Sequence, residues 1–309
     1  MFEFLKRHRR MRFSALADAW LEDSQGRVKS STLSNYRVLT RKHLLPVFGS
    51  MYVRDITDEQ VAAYLAGLRD GNLAVSTRRS IQLVLQMILR YGEEQDICGP
   101  IRFPNLPPMP RGSVSALTDK EFTKLELWLK ENLDTCHMGI LLCMYTGMRI
   151  GEVCALRWGD VDLEEGTVTV GRTLQRIADE DGSHILIDTP KSRNSLRVIP
   201  LPRQLLSAMK PFAAGHEDYL LTGDGHYMEP RHLQRRFRRC LEQAGVRLVK
   251  YHALRHTFAT RCVALTLDPK TLSYILGHAN VSTTMSVYVH PSREQIRGFM
   301  ERLPDTKMA

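Results

Sequence analysis

The sequence predicts a mainly α protein of the α+β class, in which a helical domain precedes a mixed, mostly helical domain carrying a small antiparallel β-sheet. Three observations predict this. Helical periodicity with N-terminal capping signatures fills residues 12–97, a proline-rich stretch then interrupts the chain, and short β-rich runs occur only after it, between helical regions. The chain has 309 residues, a length suited to two compact domains.

Thr57-Asp58-Glu59-Gln60 is a capping box that starts a helix running towards Leu68. Ser76 is expected to cap another, with Ile81, Leu85, Ile88 and Leu89 on one apolar face. The opposite face offers Arg79, Gln82 and Gln86, and the helix after Ser31 offers Arg37 and Arg41 in the same way. Basic and amide side chains on one helical face suit a duplex groove or its phosphates. The proline-rich stretch holds Pro100, Pro104, Pro107, Pro108 and Pro110, and proline neither continues a helix nor joins a central strand. The expected boundaries are therefore a helical domain over 1–103, a semi-rigid linker over 104–116 and a second domain over 117–309.

The second domain opens on Thr118-Asp119-Lys120-Glu121, another capping box. Helices are expected to Gly147 and again from Ile150 to Leu156. Thr167–Val170, Ile185–Ile187 and Leu196–Ile199 read as strands separated by turn residues. After Pro202 the chain reads as mainly helical to Leu303. Within that region Arg231, Arg235, Arg236, Arg238 and Arg239 form a basic helical face opposite Leu233, Phe237 and Leu241.

Net charge is +9. Residues 1–103 carry 16 Lys+Arg against 11 Asp+Glu, and the remainder 27 against 23, so both halves are basic and suit a polyanionic partner. No run of about 18 apolar residues predicts a membrane span. The basic start lacks the apolar core of a secretory signal. The six cysteines contain no C-x-x-C pair, which fits a reduced, cytoplasmic protein.

The candidate chemistry centres on Tyr251-His252-Ala253-Leu254-Arg255-His256-Thr257. His252 and Arg255 are three apart and share a helical face, pairing an imidazole that moves protons near neutral pH with a guanidinium fork suited to phosphate. Arg149 follows a glycine that permits a left-handed helix end, and sits where the next helix begins; Glu152 lies one turn on, placed to orient it. Lys191 lies in a turn between two strands, where a cationic site lowers an ammonium pKa and makes it a general acid. His278 follows a helix opened by Asp268-Pro269. Tyr288 is a candidate nucleophile, with Tyr251 and Tyr274 as rivals on sequence alone.

Thr146-Gly147-Met148-Arg149-Ile150-Gly151-Glu152, Lys191, the run His252–Thr260, Leu276-Gly277-His278 and Tyr288 together resemble the tyrosine recombinase (phage integrase) family in residue type, order and spacing. The match covers roughly 113–303, and the helical first domain looks like the family's core-type DNA-binding domain. The stretch Leu276–Tyr288 most resembles integrases of conjugative elements and prophages. About ten residues precede the helical unit, too few to fold a further arm-binding domain, so the layout is closer to the shorter Xer-type recombinases.

The resemblance implies that Tyr288 attacks a DNA phosphodiester, leaving a 3′-phosphotyrosine and a 5′-hydroxyl. Arg149, Arg255 and His278 would neutralise the non-bridging oxygens, Lys191 would protonate the leaving oxygen and His252 would handle the tyrosine proton. It implies no metal, nucleotide or other cofactor, and no G-x-x-x-x-G-K-[ST] loop is present. The implied partners are double-stranded DNA with specific recombination sites, a homotetramer exchanging C-terminal segments, and an accessory DNA-bending or excisionase protein. The segment after Tyr288, with Ile296, Phe299, Met300 and Leu303 at helical spacing, would be the part exchanged.

Alternatives remain at this stage. Asp160, Asp162 and Glu164 alternate as in a two-metal nuclease, and His252 and His256 are spaced to share a zinc. A DNA-binding protein without chemistry and a type IB topoisomerase would use the same fold.

Overall fold

The computed structural model describes residues 11–108, 116–179, 182–188, 196–278, 281, 282 and 284. The chain divides into two compact units, Met1–Gly112 with Arg176–His184, and Ser113–Gln175 with Ile185–Ala309. Among the described residues no helix is long and apolar enough to cross a membrane.

Over residues 11–108 the first unit is helical: α1 Phe13–Ser24, α2 Ser30–Leu39, α3 Leu45–Phe48, α4 Asp58–Asp70 and α5 Val75–Glu94. A π-helical turn, Thr40–Leu44, joins α2 to α3 and carries Arg41. The Thr57 capping box forms as expected, with Thr57 accepting from the Gln60 N–H and Gln60 accepting from the Thr57 N–H. The core gathers Phe13, Leu16, Leu44, Phe48, Val61, Ile81, Leu85 and Ile88. Burying each such side chain contributes about 1.5–3 kcal/mol.

Two expectations for α5 need correction. Ser76 does not cap it; the helix starts at Val75 behind Ala74, and the Ser76 carbonyl accepts the Ser80 hydroxyl. Nor does the whole polar face of α5 look outward. Gln82 is 3% exposed and donates to the Pro104 carbonyl at 2.6 Å, while Arg79 donates to the Pro107 carbonyl at 2.5 Å. Proline lacks an N–H but keeps its carbonyl acceptor. The start of the proline-rich stretch is therefore bonded along α5 rather than a free spacer, and Arg79 and Gln82 are committed to it instead of to a duplex.

The second unit comprises α6 Asp119–Glu131, α7 Thr135–Thr146, α8 Ile150–Ala155, β1 Val161–Asp162, β2 Thr167–Val170, α9 Arg203–Met209, α10 Pro230–Gln243, α11 His252–Ala264 and α12 Pro269–Leu276. β3 Thr173–Asp179 and β4 Gly182–Asp188 form a two-stranded sheet. β5 Arg197–Pro200 pairs antiparallel with β2, and β1 pairs with the other edge of β2. β1 and β3 were not among the expected strands; β1 has two residues, too few for a period to register.

α7 is apolar around its circumference, so it is buried on all sides and forms the centre of this unit. Asp134 caps it by accepting the His137 N–H, and Gly147 ends it at φ +64°. α12 is bounded in the same style, with Asp268 accepting N–H bonds from Lys270 and Thr271, Pro269 in its first turn and Gly277 at φ +64°. These two left-handed glycines end the two helices whose carbonyls build the site.

Candidate active site

A helix leaves its last carbonyls without internal partners and carries partial negative charge there. At the end of α12 three consecutive carbonyl oxygens are taken by three arginines. Ile275 O accepts from Arg197 Nε at 2.7 Å, Leu276 O from Arg255 Nη2 at 2.8 Å and Gly277 O from Arg149 Nη2 at 2.9 Å. The Gly147 carbonyl, at the end of α7, accepts from Arg255 Nη1 at 2.9 Å. Two helix ends thus draw three guanidinium groups together from α8, β5 and α11.

Glu152 is the carboxylate of this cluster. Its Oε1 accepts from Arg149 Nη1 at 2.9 Å and Arg197 Nη1 at 3.2 Å; its Oε2 accepts from the Arg149 backbone N–H and Arg197 Nη2, both at 2.8 Å. Burial opposes its charge, but the bonds and charges of Arg197 and then Arg149 outweigh that and hold Glu152 below the usual carboxylate range. Among the described residues, one carboxylate stands against three guanidinium groups in this cluster, which leaves positive charge in excess. Burial, and then the nearby Arg149, draws Arg255 below the usual guanidinium value. A bound anion would offset this.

The imidazoles respond to the same field. Burial, followed by Arg255 and Arg149, lowers His278 to about 4. His252 is lowered by burial, His256, Arg255 and Arg149 in that order, and His256 by burial and Arg255. Both rings of α11 meet edge to face at 5.1 Å. The site therefore holds neutral imidazoles at pH 7. His278 Nδ1 lies 2.8 Å from the buried Thr284 hydroxyl; when that hydroxyl donates, Nε2 carries the proton and is the donor.

Arg149, His252, Arg255 and His278 are brought together as the sequence spacing predicts. Lys191 and Tyr288 lie outside the described residues, as does the segment holding Ile296, Phe299, Met300 and Leu303. Of the rival phenols, Tyr251 is buried against Phe237 with its pKa pushed far up by burial, an environment opposed to phenolate. Tyr274 is half exposed, its hydroxyl accepting the Val198 N–H at 3.5 Å. Glu152 performs the orienting role expected of it. Arg197 was missed. On β5 it faces inward beside Ile199 and opposite Val170, whose side chains are buried, so the period-2 alternation that buries Ile199 was the signal that could have found it.

Asp160 accepts from Arg172 and from the Arg157 N–H, and Asp162 accepts from the Glu164 and Glu165 N–H groups, so both act in turns. Among the described residues no cluster of three or more metal-ligating side chains forms. On α10 Leu233, Phe237, Cys240 and Leu241 are buried, and Arg231, Arg235, Arg238 and Arg239 are exposed; Arg236 pairs with Asp134, and Arg238 with Glu242 at 3.1 Å. In the first unit Arg41 is exposed and Arg37 and Gln86 are half-buried.

The model of the phage integrase family matches residues 117–295, and that of the phage integrase N-terminal SAM-like domain matches 12–69. A XerC-like tyrosine recombinase of Caldanaerobacter subterraneus is 30% identical over 62% of this chain and 54% of its own length. The Tn916 transposase of Enterococcus faecalis is 28% identical over 60% of this chain and 49% of its own, so the chain spans about half the length of these two relatives. The tyrosine recombinase XerA of Thermococcus kodakarensis is 27% identical over 80% of this chain and 82% of its own. Among solved structures, the Tn1549 transposon integrase in complex with transposon right end DNA matches with a TM-score of 0.77 at 24% identity, over 95% of this chain and 99% of that one, a likeness of fold.

Proposed function

Because the chain belongs to the phage integrase family, we propose that it is a site-specific tyrosine recombinase, cutting and rejoining DNA strands through a 3′-phosphotyrosine. The observation that supports this most is the set of guanidinium groups lodged on two helix ends beside neutral imidazoles, an anion site with fixed donors. Preorganised donors aimed at developing charge supply much of the acceleration in such reactions.

In this reading the Tyr288 oxygen attacks the phosphorus, the P–Oη bond forms and the P–O5′ bond breaks. Arg149, Arg255 and the His278 N–H bind the non-bridging oxygens. His252, exposed at the start of α11 and held below the ordinary imidazole value by desolvation and then by His256, Arg255 and Arg149, accepts the tyrosine proton. Lys191 gives a proton to the departing 5′ oxygen. The phosphotyrosine conserves the bond, so a 5′-hydroxyl from another strand reverses the step and completes exchange. In this reading the Arg149 and Arg255 guanidinium groups, held on the Gly277, Leu276 and Gly147 carbonyls, carry the charge that neutralises the phosphate, so the proposed chemistry calls on neither a metal nor a nucleotide.

Double-stranded DNA is the partner. Arg37, Arg41 and Gln86 from the first unit, and Arg231, Arg235 and Arg238 from α10, are the side chains that grip it. Four copies assemble on two sites and exchange C-terminal segments, with an accessory DNA-bending or excisionase protein setting direction, in the cytoplasm at the nucleoid. Trapping on a nicked duplex, from which the cleaved 5′ fragment diffuses away, tests the enzyme against a binder that lacks chemistry. Strand exchange between two sites, rather than relaxation alone, tests recombination against topoisomerase action.

A further inference from the structure

We infer that Arg197 is a positioning residue for strand cleavage, aiming the Arg149 fork through Glu152 and the end of α12; the inference rests on the reading of the site as a DNA-cleaving centre. Arg197 has no route to a duplex, because its side chain is 0% exposed. The Arg149 side chain, by contrast, is 42% exposed.

The two anchors of that exposed fork are both set by Arg197. At Nη1, Arg149 meets Glu152 Oε1, and Arg197 bonds both oxygens of the same carboxylate, at 3.2 and 2.8 Å. Rotating the Glu152 carboxylate would break both contacts, so its plane is fixed. At Nη2, Arg149 meets the Gly277 carbonyl, two residues beyond the Ile275 carbonyl that Arg197 Nε holds at 2.7 Å. Gly277 also admits the guanidinium closely: a Cβ there would lie 2.8 Å from Arg197 Nη1 and 3.0 Å from Cζ. Register explains why an arginine can reach. β5 pairs Arg197 with Val170, on the inward face of the sheet. An exposed Arg149 left to Glu152 alone would retain rotamer freedom, and ordering it would cost entropy at the moment of reaction. A lysine cannot substitute, since a point donor cannot bond a carboxylate side-on and a carbonyl together.

The test is single-turnover covalent capture by Arg197→Lys on two duplexes, one with an ordinary scissile phosphate and one with a methylphosphonate there. The neutral linkage has less charge for Arg149 to neutralise. DNA affinity should stay unchanged, while cleavage of the phosphodiester falls about 10²-fold, the scale of a small misplacement of a catalytic group. Most of that loss should vanish on the methylphosphonate and in an Arg149→Ala background, where the group being aimed is already dispensable or gone. A purely structural role would carry the same loss onto both linkages and into both backgrounds, and would overturn the inference, as would normal cleavage by Arg197→Lys. Should the lysine variant fail to fold, Glu152→Gln, which keeps the shape but removes the anchor's negative charge and replaces one of its two acceptor oxygens with a donor, decides the matter: relief on the methylphosphonate supports the inference, equal losses or full activity refute it. A wild-type chain that captures no DNA would defeat the recombinase reading itself, whereas a wild type that cuts alongside variants showing equal losses would defeat only the role of Arg197.

Discussion

Arg255→Lys separates the two jobs of one guanidinium. In the native chain Arg255 bonds the Gly147 carbonyl at 2.9 Å and the Leu276 carbonyl at 2.8 Å, tying the end of α7 to the end of α12. Lysine keeps the charge but not the planar fork, so one of these buried carbonyls goes unbonded. An unsatisfied buried acceptor costs about 1–3 kcal/mol. For a unit of this size each kcal/mol moves Tm by about 2–4 °C, so calorimetry should record a fall of about 2–12 °C. Cleavage should fall further, by about 10²–10³, or roughly 2.7–4 kcal/mol of transition-state stabilisation, because the remaining donors no longer face the phosphate in fixed directions. Single-turnover capture on a nicked duplex, at a temperature well below the variant's Tm, reads the second quantity free of the first. A variant with lowered Tm and undiminished capture would show that Arg255 is a structural clamp with no part in the chemistry.

Three further outcomes follow from the geometry. Gly277→Ala must place a side chain at φ +64° and within 2.8 Å of Arg197, so it should lower the unfolding free energy by at least the roughly 1–2 kcal/mol of a left-handed non-glycine residue, seen as a lower Tm, and slow capture as well; unchanged values would refute the close packing described for the α12 end. His278 ordinarily titrates at 6.5 and is held at about 4 when folded, and His252 and His256 are lowered too, so the unfolded chain binds more protons than the folded one below pH 6.5. Stability is therefore fully present above pH 6.5 and declines as pH falls towards 4; Tm measured between pH 6.5 and 5, where carboxylates stay ionised, should drop, less so with added sulfate or in His278→Asn, and a flat profile would contradict the cationic field assigned to the site. Capture should persist in excess EDTA, and its loss there would point to metal chemistry instead.

Local signals made much of this fold legible. Thr57 and Thr118 cap their helices with Gln60 and Glu121, and Gly147 adopts the left-handed end expected of it, because these effects act within a few residues. Thr167–Val170 was read as a strand and is one, since alternation with turn residues on both sides leaves few choices. Arg149, His252, Arg255 and His278, singled out by motif order and helical spacing, are gathered at the ends of α7 and α12. What local reasoning missed depends on distant contacts. Gln82 looked like an outward residue until the carbonyl of Pro104, 22 residues away, was seen to cover it. Arg197 lay unremarked inside the Leu196–Ile199 strand run, because a buried guanidinium is predictable only when its acceptors are known, and those come from Glu152 and Ile275 on other elements. Ser76 was mistaken for a cap because a serine early in an apolar-periodic run carries the same local signature whether it precedes the helix or lies in its first turn.

The most direct measurement is the chemical identity of the trapped adduct. Mass spectrometry of the protease-digested complex from a nicked duplex should find a nucleotide joined through its 3′-phosphate to the peptide containing Tyr288, and Tyr288→Phe should bind the duplex with unchanged affinity and yield no adduct. An adduct on Tyr274 or any other residue, or one that persists in Tyr288→Phe, would contradict the account.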